Sequence, residues 1–423
     1  MKVLSLFDGM TCGMLAMQKA GINIDRYVAF EIDKYAVQTS SHNFPMIEHR
    51  GDVFQADFSE FSGFDFLVGG SPCTYWSIAQ KNNRETEASG MGWELFCQYV
   101  RALKEAQPMY FIYENNKSMA KAIRESITET FGFEPICINS TLVSAQNRQR
   151  LYWVGKRNED GTYSKVNVEQ PEDRGVLLRD VLYGAVAWQN KAYCITATEY
   201  KGSNPQQTLT KHRRTMVAEP CGIGYRGRME NGKWVKRYES NGEEKANAIT
   251  TAQTDSMVAE PIRVGALPRP NGELSTSQAF WVYSVDGKSV NLTAGGGGAG
   301  GKTGLYAIPV AFDSDIPTKA VSVADGKTYP VYEVKDGYIT IKGKRYAIKL
   351  ADGYYIIRKL TVRECMRLQT VPEWYEFPVS DTQAYKMLGN GWTVDVISHL
   401  ISATQVNEWA DEQMDLFGIG VMK

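Results

Sequence analysis

Three things are scarce in this chain of 423 residues: an excess of one charge, histidine, and paired cysteine. Lys and Arg number 47 against 48 Asp and Glu, leaving a net charge of -1. A protein that coats nucleic acid without regard to sequence is usually strongly basic. The balance argues against that class but leaves room for a local basic groove. The seven cysteines (Cys12, Cys73, Cys97, Cys137, Cys194, Cys221 and Cys365) are odd in number and form no C-x-x-C pair. With four unclustered histidines, this argues against a disulfide framework and a metal centre. The expectation is a reduced, cytoplasmic, metal-free enzyme in which any cysteine that matters is a free thiol. No apolar run is long enough to span a bilayer. MKVLSLF leads into a strand rather than a signal peptide. What is present is an ordinary globular composition, 43% hydrophobic and 22% charged, long enough for two or three domains.

The first ~155 residues alternate short apolar runs with helical patterns. Strands are expected at VLSLF (3–7), YVAFEI (27–32), FDFLVGG (64–70), MYFIYE (109–114) and RLYWVG (150–155). MLAMQKAG and WELFCQYVRALKEA carry helical spacing between them. This rhythm predicts a parallel, doubly wound α/β sheet, with ligands bound beyond the carboxyl ends of its strands. From about 188 to 356 turns multiply and helical periodicity disappears. QTLT then MVAEP, NAIT then MVAEP, and VNLT then LYAIP form a weak threefold β repeat. Helical spacing returns in LTVRECMRLQ, AYKMLG and TVDVISHLISATQVNEW. The expected organisation is a catalytic domain (1–187) interrupted by a smaller β-rich domain (188–357) and completed by 358–423.

GGGGAGGKTG (295–304) matches the phosphate-loop pattern G-x-x-x-x-G-K-[ST] in full. A phosphate loop must open a helix whose N-terminus binds the anion. This one leads into GLYAIPV, a strand pattern with a proline, so a flexible connector is the better reading.

Four constellations fall at expected strand ends. FDGMTCG (7–13) allows a tight turn and close backbone approach to a ligand. FEID and GDV bring Glu31, suited to a ribose hydroxyl pair, and Asp52, suited to an adenine edge. GGSPCTYWS places Cys73 just after a proline, where a thiolate nucleophile would sit; an inert buried thiol is the alternative. YENNKSM puts Glu114 towards the same cleft. QNRQRLYWVG carries Arg148 and Arg150, two apart and so expected on one face.

The order FDG…G, EID, GDV, SPC, ENN, QxRxR, a variable insert, then RKLTVRECMRLQ and MLGNGWTV resembles the DNA (cytosine-5) methyltransferases of bacteria and bacteriophages. The likeness covers roughly 1–160 and 358–400. It implies a Rossmann-like domain using S-adenosylmethionine, released as S-adenosylhomocysteine, on double-stranded DNA. It implies that Cys73 attacks C6 of a cytosine flipped from the stack, and that Glu114 contacts N3 and the exocyclic amine. Arg148 would hold the cytosine carbonyl and Arg150 would support the active-site loop. Cofactor contacts would come from Phe7, Asp8, Gly9, Met10, Glu31, Ile32, Asp52, Val53, Pro72, Asn390 and Trp392. DNA contacts would come from Ser77, Gln80, Lys81 and Arg84 on a loop (77–92) suited to closing over the substrate. The insert would recognise the target, with Arg213, Arg214, Arg226, Arg228 and Lys302 on phosphates or guanine edges. PCT, ENN and GNGWTV depart from the commoner PCQ, ENV and GNS-type sequences, which puts contacts near Trp392 in question. An RNA methyltransferase and a non-catalytic DNA-binding member are the alternatives. The repeats suggest either one recognition domain with duplicated units or several modules side by side. QMDLF (Gln413–Phe417) resembles the pentapeptide that docks bacterial proteins on the DNA sliding clamp; a frayed helix end is the other reading. A monomer is expected.

Overall fold

The structure, a computed structural model, describes residues 1–77, 84–182, 216–219, 223–230, 233–240, 263–266, 281–283, 319–322, 326–341, 343–347 and 352–404. The first half forms an eight-stranded sheet of order β3-β2-β1-β4-β5-β7-β6, with β8 on β7. Its strands are β1 (Lys2–Leu6), β2 (Arg26–Phe30), β3 (Glu48–His49), β4 (Phe66–Gly69), β5 (Tyr110–Asn116), β6 (Ile136–Asn139), β7 (Gln149–Arg157) and β8 (Tyr163–Lys165). β3, β2, β1, β4 and β5 run parallel. β7 is antiparallel to both β5 and β6. The doubly wound expectation holds, but RLYWVG is reversed. Apolar alternation fixes which face a residue takes and says nothing of strand direction.

The strand sequences explain why helices cover both faces. Val3, Ala29, Phe66, Val68, Tyr110 and Ile112 point to one core, which helices α1 (Cys12–Lys19) and α7 (Val394–Ser402) close. Leu4, Leu6, Val28, Leu67, Phe111 and Tyr113 point to the other, beneath α3 (Gly90–Ala106) and α4 (Lys121–Phe131). A strand buried on both faces reads as a continuous apolar run, as VLSLF and FLV do. α4 buries Ile123, Ile127 and Phe131, one stripe at i, i+4 and i+8, and ends on Gly132 in the left-handed conformation. α2 (Lys34–Asn43), α5 (Val362–Leu368) and α6 (Asp381–Asn390) complete the described helices. Thr361 and Glu364 close a reciprocal capping box at the start of α5. The C-terminal helices pack on the first sheet's core; of TVDVISHLISATQVNEW, Val394–Ser402 is helical and 405–409 lie outside the described residues.

Between them, a second sheet has the order β17-β16-β15-β18-β9, with β14 on β15. It comprises β9 (Met216–Glu219), β14 (Lys319–Val321), β15 (Thr328–Lys335), β16 (Tyr338–Ile341), β17 (Lys344–Ala347) and β18 (Gly353–Lys359). Two separate hairpins are β10 (Ile223–Glu230) with β11 (Lys233–Ser240), and β12 (Arg263–Ala266) with β13 (Trp281–Tyr283). β18 reaches Lys359, so the second sheet overlaps the expected boundary at 357/358. Of the repeat, the first MVAE is β9; QTLT, NAIT, VNLT, the second MVAEP and GGGGAGGKTG lie outside the described residues.

Strand order reverses at β1, since β2 lies on one side and β4 on the other. The crevice at such a switch point is where doubly wound sheets bind ligands. The loops that open there are FDGMTCG after β1 and GGSPCTY after β4.

Candidate active site

The turn after β1 is strained. Phe7, Gly9 and Thr11 all have positive φ, at 57°, 59° and 64°. Two of these are not glycine, and such conformations cost about 1–3 kcal/mol each and persist only where the surroundings over-determine them. Two carboxylates impose this one. Asp8 accepts hydrogen bonds from Ser5 Oγ (2.6 Å), Thr11 Oγ1 (2.7 Å) and Tyr27 OH (2.8 Å). Burial pushes its carboxyl up, and the three hydroxyls partly offset that. Glu31, just past β2, accepts from the backbone amides of Gly9, Ile32 and Asp33, each at 2.8 Å. Burial raises its carboxyl too, and the amides oppose the rise. Glu31 thus ties the β1 turn to the β2 end. Beside it Ile32 is 77% exposed, an apolar side chain held open to solvent. Asp52 is exposed and caps the short helix 53–55 by accepting from Phe54 N at 3.0 Å.

The other residues expected at the cofactor divide. Phe7, Gly9 and Glu31 are half-buried in the loops after β1 and β2, while Ile32, Asp52, Pro72 and Asn390 are exposed. Three have their side chains turned away from solvent. The Asp8 side chain is spent on three hydroxyls. The Met10 and Val53 side chains are buried in the two cores. These three hold the walls and leave only backbone to a ligand.

Cys73 opens a one-turn helix (Cys73–Tyr75) after β4 and is half-buried. Its carbonyl accepts from Trp76 N and Ser77 N, at 3.1 and 2.9 Å. Beneath it lies a buried polar network. Ser71 Oγ and Tyr113 OH are 2.7 Å apart, and Asn115 Nδ2 donates to Ser71 O and to Tyr113 OH, each at 3.2 Å. Asn115, the middle residue of ENN, therefore holds the SPC loop on β5, while Asn116, where ENV has Val, accepts from Ser118 Oγ at 2.7 Å. Burial pushes the Cys73 thiol up; Arg150 and Arg148 pull it down, and Glu114 pushes it up.

Glu114 stands on β5 opposite Tyr152 of β7, with Arg150 diagonally adjacent on the same face. Arg150 Nε and Glu114 Oε1 form a 3.0 Å ion pair, with side chains 9% and 12% exposed. The second oxygen, Oε2, accepts from Trp392 Nε1 at 3.0 Å. Gly70 fits closely beneath: a Cβ there would lie 2.6 Å from the Glu114 carbonyl oxygen and 2.9 Å from Oε2. The second glycine of GGSPC is therefore part of the site, and the sequence reading missed it.

Arg148 does not take the place expected for it. It is 3% exposed, and its guanidinium donates to Gly389 O (3.3 Å) and Gly391 O (2.8 Å). Gln369 Nε2 donates to Leu388 O (2.7 Å) and Gly391 O (3.2 Å). Arg148 and Gln369 together fix the GNGW turn. Arg150 stands beside Glu114, and Arg148 braces the GNGW turn. Arg148 precedes β7, so strand alternation does not govern its direction.

Arg84 also turns inward. Its Nε donates to Trp76 O (3.1 Å) and its Nη2 to Ser118 O (2.7 Å). Glu85 accepts from Trp76 Nε1 (2.9 Å) and Gly92 N (3.1 Å). The pair anchors the far end of the loop that begins at Ser77. Gln80, Lys81, Arg213, Arg214, Lys302 and Gln413–Phe417 lie outside the described residues. Arg226 and Arg228 lie two apart on β10, at register positions opposite Arg237 and Val235. Among the described residues, no group of three or more His, Cys, Asp or Glu is placed to hold a metal, and no helix is long and apolar enough to cross a membrane.

A family model described as C-5 cytosine-specific DNA methylase matches residues 1–405. An orphan methyltransferase of Bacillus phage rho11s is 26% identical, over 96% of this chain and 99% of its own length. The type II methyltransferase M.FnuDI of Fusobacterium nucleatum is 32% identical over a shorter region, 38% of this chain and 48% of that one. Among solved structures, the Entamoeba histolytica methyltransferase EhMeth matches with a TM-score of 0.50 at 11% identity, over 95% of this chain and 97% of that one, a likeness of fold.

Proposed function

Because this chain belongs to the C-5 cytosine-specific DNA methylase family, and so is a DNA cytosine-5 methyltransferase, we propose that Cys73, Glu114 and Arg150 carry its chemistry. The observation behind this is the half-buried thiol at the β4 end, within the field of the Glu114–Arg150 ion pair. C5 of cytosine is a poor nucleophile until C6 carries an electron-donating adduct. The Cys73 thiol loses its proton and Sγ bonds to C6, which shifts electron density into the ring. Glu114 engages N3 and the exocyclic amine, where that density collects. Arg150 fixes Glu114 and reaches toward the cytosine carbonyl, the place first assigned to Arg148. C5, now nucleophilic, takes up the methyl group; solvent water then accepts the C5 proton as the C6–Sγ bond breaks, which restores the aromatic ring and returns the thiolate. The cytosine must first leave the stack, at a cost of about a few kcal/mol.

The family takes its methyl group from S-adenosylmethionine, which supplies an electrophilic methyl for C5 when bound. The β1 turn suits that group. Gly9 permits close backbone approach, Glu31 offers a carboxylate for the ribose hydroxyls, Ile32 offers an open apolar face, and Asp52 sits at the adenine edge. The β-rich insert is assigned to target recognition, with Arg226 and Arg228 on one strand. The sliding clamp as a partner for Gln413–Phe417 belongs to the same proposal.

The test uses DNA amplified with 5-fluorocytosine in place of cytosine. Fluorine at C5 blocks the final loss, so the protein stays bonded to C6. With S-adenosylmethionine, the wild type should give a denaturation-resistant protein–DNA band and Cys73→Ala none. An adduct formed by Cys73→Ala would overturn the assignment.

A further inference from the structure

Trp392 was expected among cofactor contacts, yet its indole N–H points at the carboxylate proposed to handle cytosine. We infer that Trp392 is a positioning residue for Glu114, and that it joins the cofactor crevice to the cytosine site. The inference rests on the role proposed above for Glu114.

Glu114 has no freedom at either oxygen. Oε1 is held by Arg150 and Oε2 by Trp392, while Gly70 lies too close beneath for even a methyl group. A side chain pinned on three sides presents one orientation to an incoming base. Preorganised polar groups accelerate a reaction because they need not rearrange as charge develops. The other end of Trp392 reaches the strained turn. Its ring carbon Cζ3 would lie 3.8 Å from a Cβ at Gly13, and its backbone amide hydrogen-bonds the Cys12 thiol. Cys12 and Gly13 open α1 directly after Thr11. The GNGW turn behind Trp392 is itself held by Arg148 and Gln369, so the indole cannot swing freely. One side chain thus spans from the loop proposed for the cofactor to the carboxylate proposed for the base. This gives the GNGWTV departure a physical purpose.

Trp392→Phe keeps most of the ring and removes the donor. A hydrogen bond to a charged group is worth about 1.5–3 kcal/mol, which as a rate is about 10- to 150-fold. The adduct-formation rate on 5-fluorocytosine DNA should fall by that factor, while the dissociation constant for S-adenosylhomocysteine, by calorimetry, should stay within about threefold. Trp392→His, which restores an N–H donor, should recover part of the rate. Weakened S-adenosylhomocysteine binding with an unchanged adduct rate would make Trp392 a cofactor-packing residue and overturn the inference. So would no change in either quantity. If the variants fail to fold, the indole N–H resonance of Trp392 in the 15N-tryptophan-labelled enzyme decides. It should move upfield in Glu114→Ala, and an unmoved resonance would refute the contact. Failure of the Glu114 assignment itself would look different: Glu114→Ala would then keep the wild-type adduct rate.

Discussion

Replacing Arg150 by Met leaves the Glu114 carboxylate nearly buried with its cation gone. At the observed 3.0 Å separation, opposite charges attract by about 5–6 kcal/mol at an effective dielectric of about 20. Desolvation consumes part of that, and stranding one partner of a buried pair costs about 3–5 kcal/mol in practice. Trp392 still donates to Oε2, so the lower end applies, about 3 kcal/mol. Urea unfolding should register that loss. The same misplacement should cut single-turnover methylation by about 100-fold, since each 1.36 kcal/mol is about tenfold in rate. The double variant Arg150→Met/Glu114→Gln removes the stranded charge. It should recover at least half of the stability and none of the activity. The alkaline limb supplies a second readout. Burial holds the Cys73 thiol above its ordinary value, Arg150 opposes this and Glu114 adds to it. Because the thiolate is the nucleophile, kcat/KM should climb with pH until that raised pKa is passed. Arg150→Met should move the limb further alkaline, and Glu114→Gln should move whatever activity remains toward acid. A cost under about 0.5 kcal/mol for Arg150→Met with the rate within threefold, the behaviour of an exposed pair, would refute this role for the ion pair.

Gly70→Ala places a methyl against the Glu114 backbone oxygen; methylation should drop by more than about 100-fold with a smaller loss of thermal stability, because a sub-ångström displacement at reacting groups is costly. Arg84→Ala should lower kcat while leaving the salt dependence of DNA binding unchanged, since its donors are spent on Trp76 and Ser118; a slope smaller by about one would instead make it a phosphate contact. Glu31→Ala removes the acceptor of three amides and should weaken S-adenosylhomocysteine binding at least tenfold by calorimetry while lowering Tm. Among the described cysteines, alkylation followed by mass mapping should label exposed Cys97 first and spare buried Cys12, whose thiol burial pushes up to about 12.

The doubly wound core was legible because alternate strand residues had to satisfy two cores at once. Val3 and Leu4 belong to opposite clusters, the pattern of a strand buried on both faces. The motif loops were legible for a related reason: strand ends at a switch point must carry the ligand-facing residues. The direction of β7 was not, since pleat alternation is the same read either way. Nor were the partners of polar groups. FDGMTCG looks like a glycine turn, yet Phe7 and Thr11 also adopt positive φ, in a turn braced by Asp8 from within and by Glu31 from the end of β2. The roles of Arg148 and Arg150 turn on one residue of strand boundary, which apolar spacing does not resolve. Trp392 and Glu114 are 278 residues apart, and their contact belongs to the tertiary fold.

Everything proposed for this site depends on Cys73 performing cytosine-C5 methylation of DNA. Bisulfite sequencing of DNA from a methylation-free bacterium expressing the wild type or Cys73→Ala tests it most directly. Cytosines should be protected at a defined sequence with the wild type and none with Cys73→Ala. No protection from soluble wild-type protein, or equal protection from both, would contradict it.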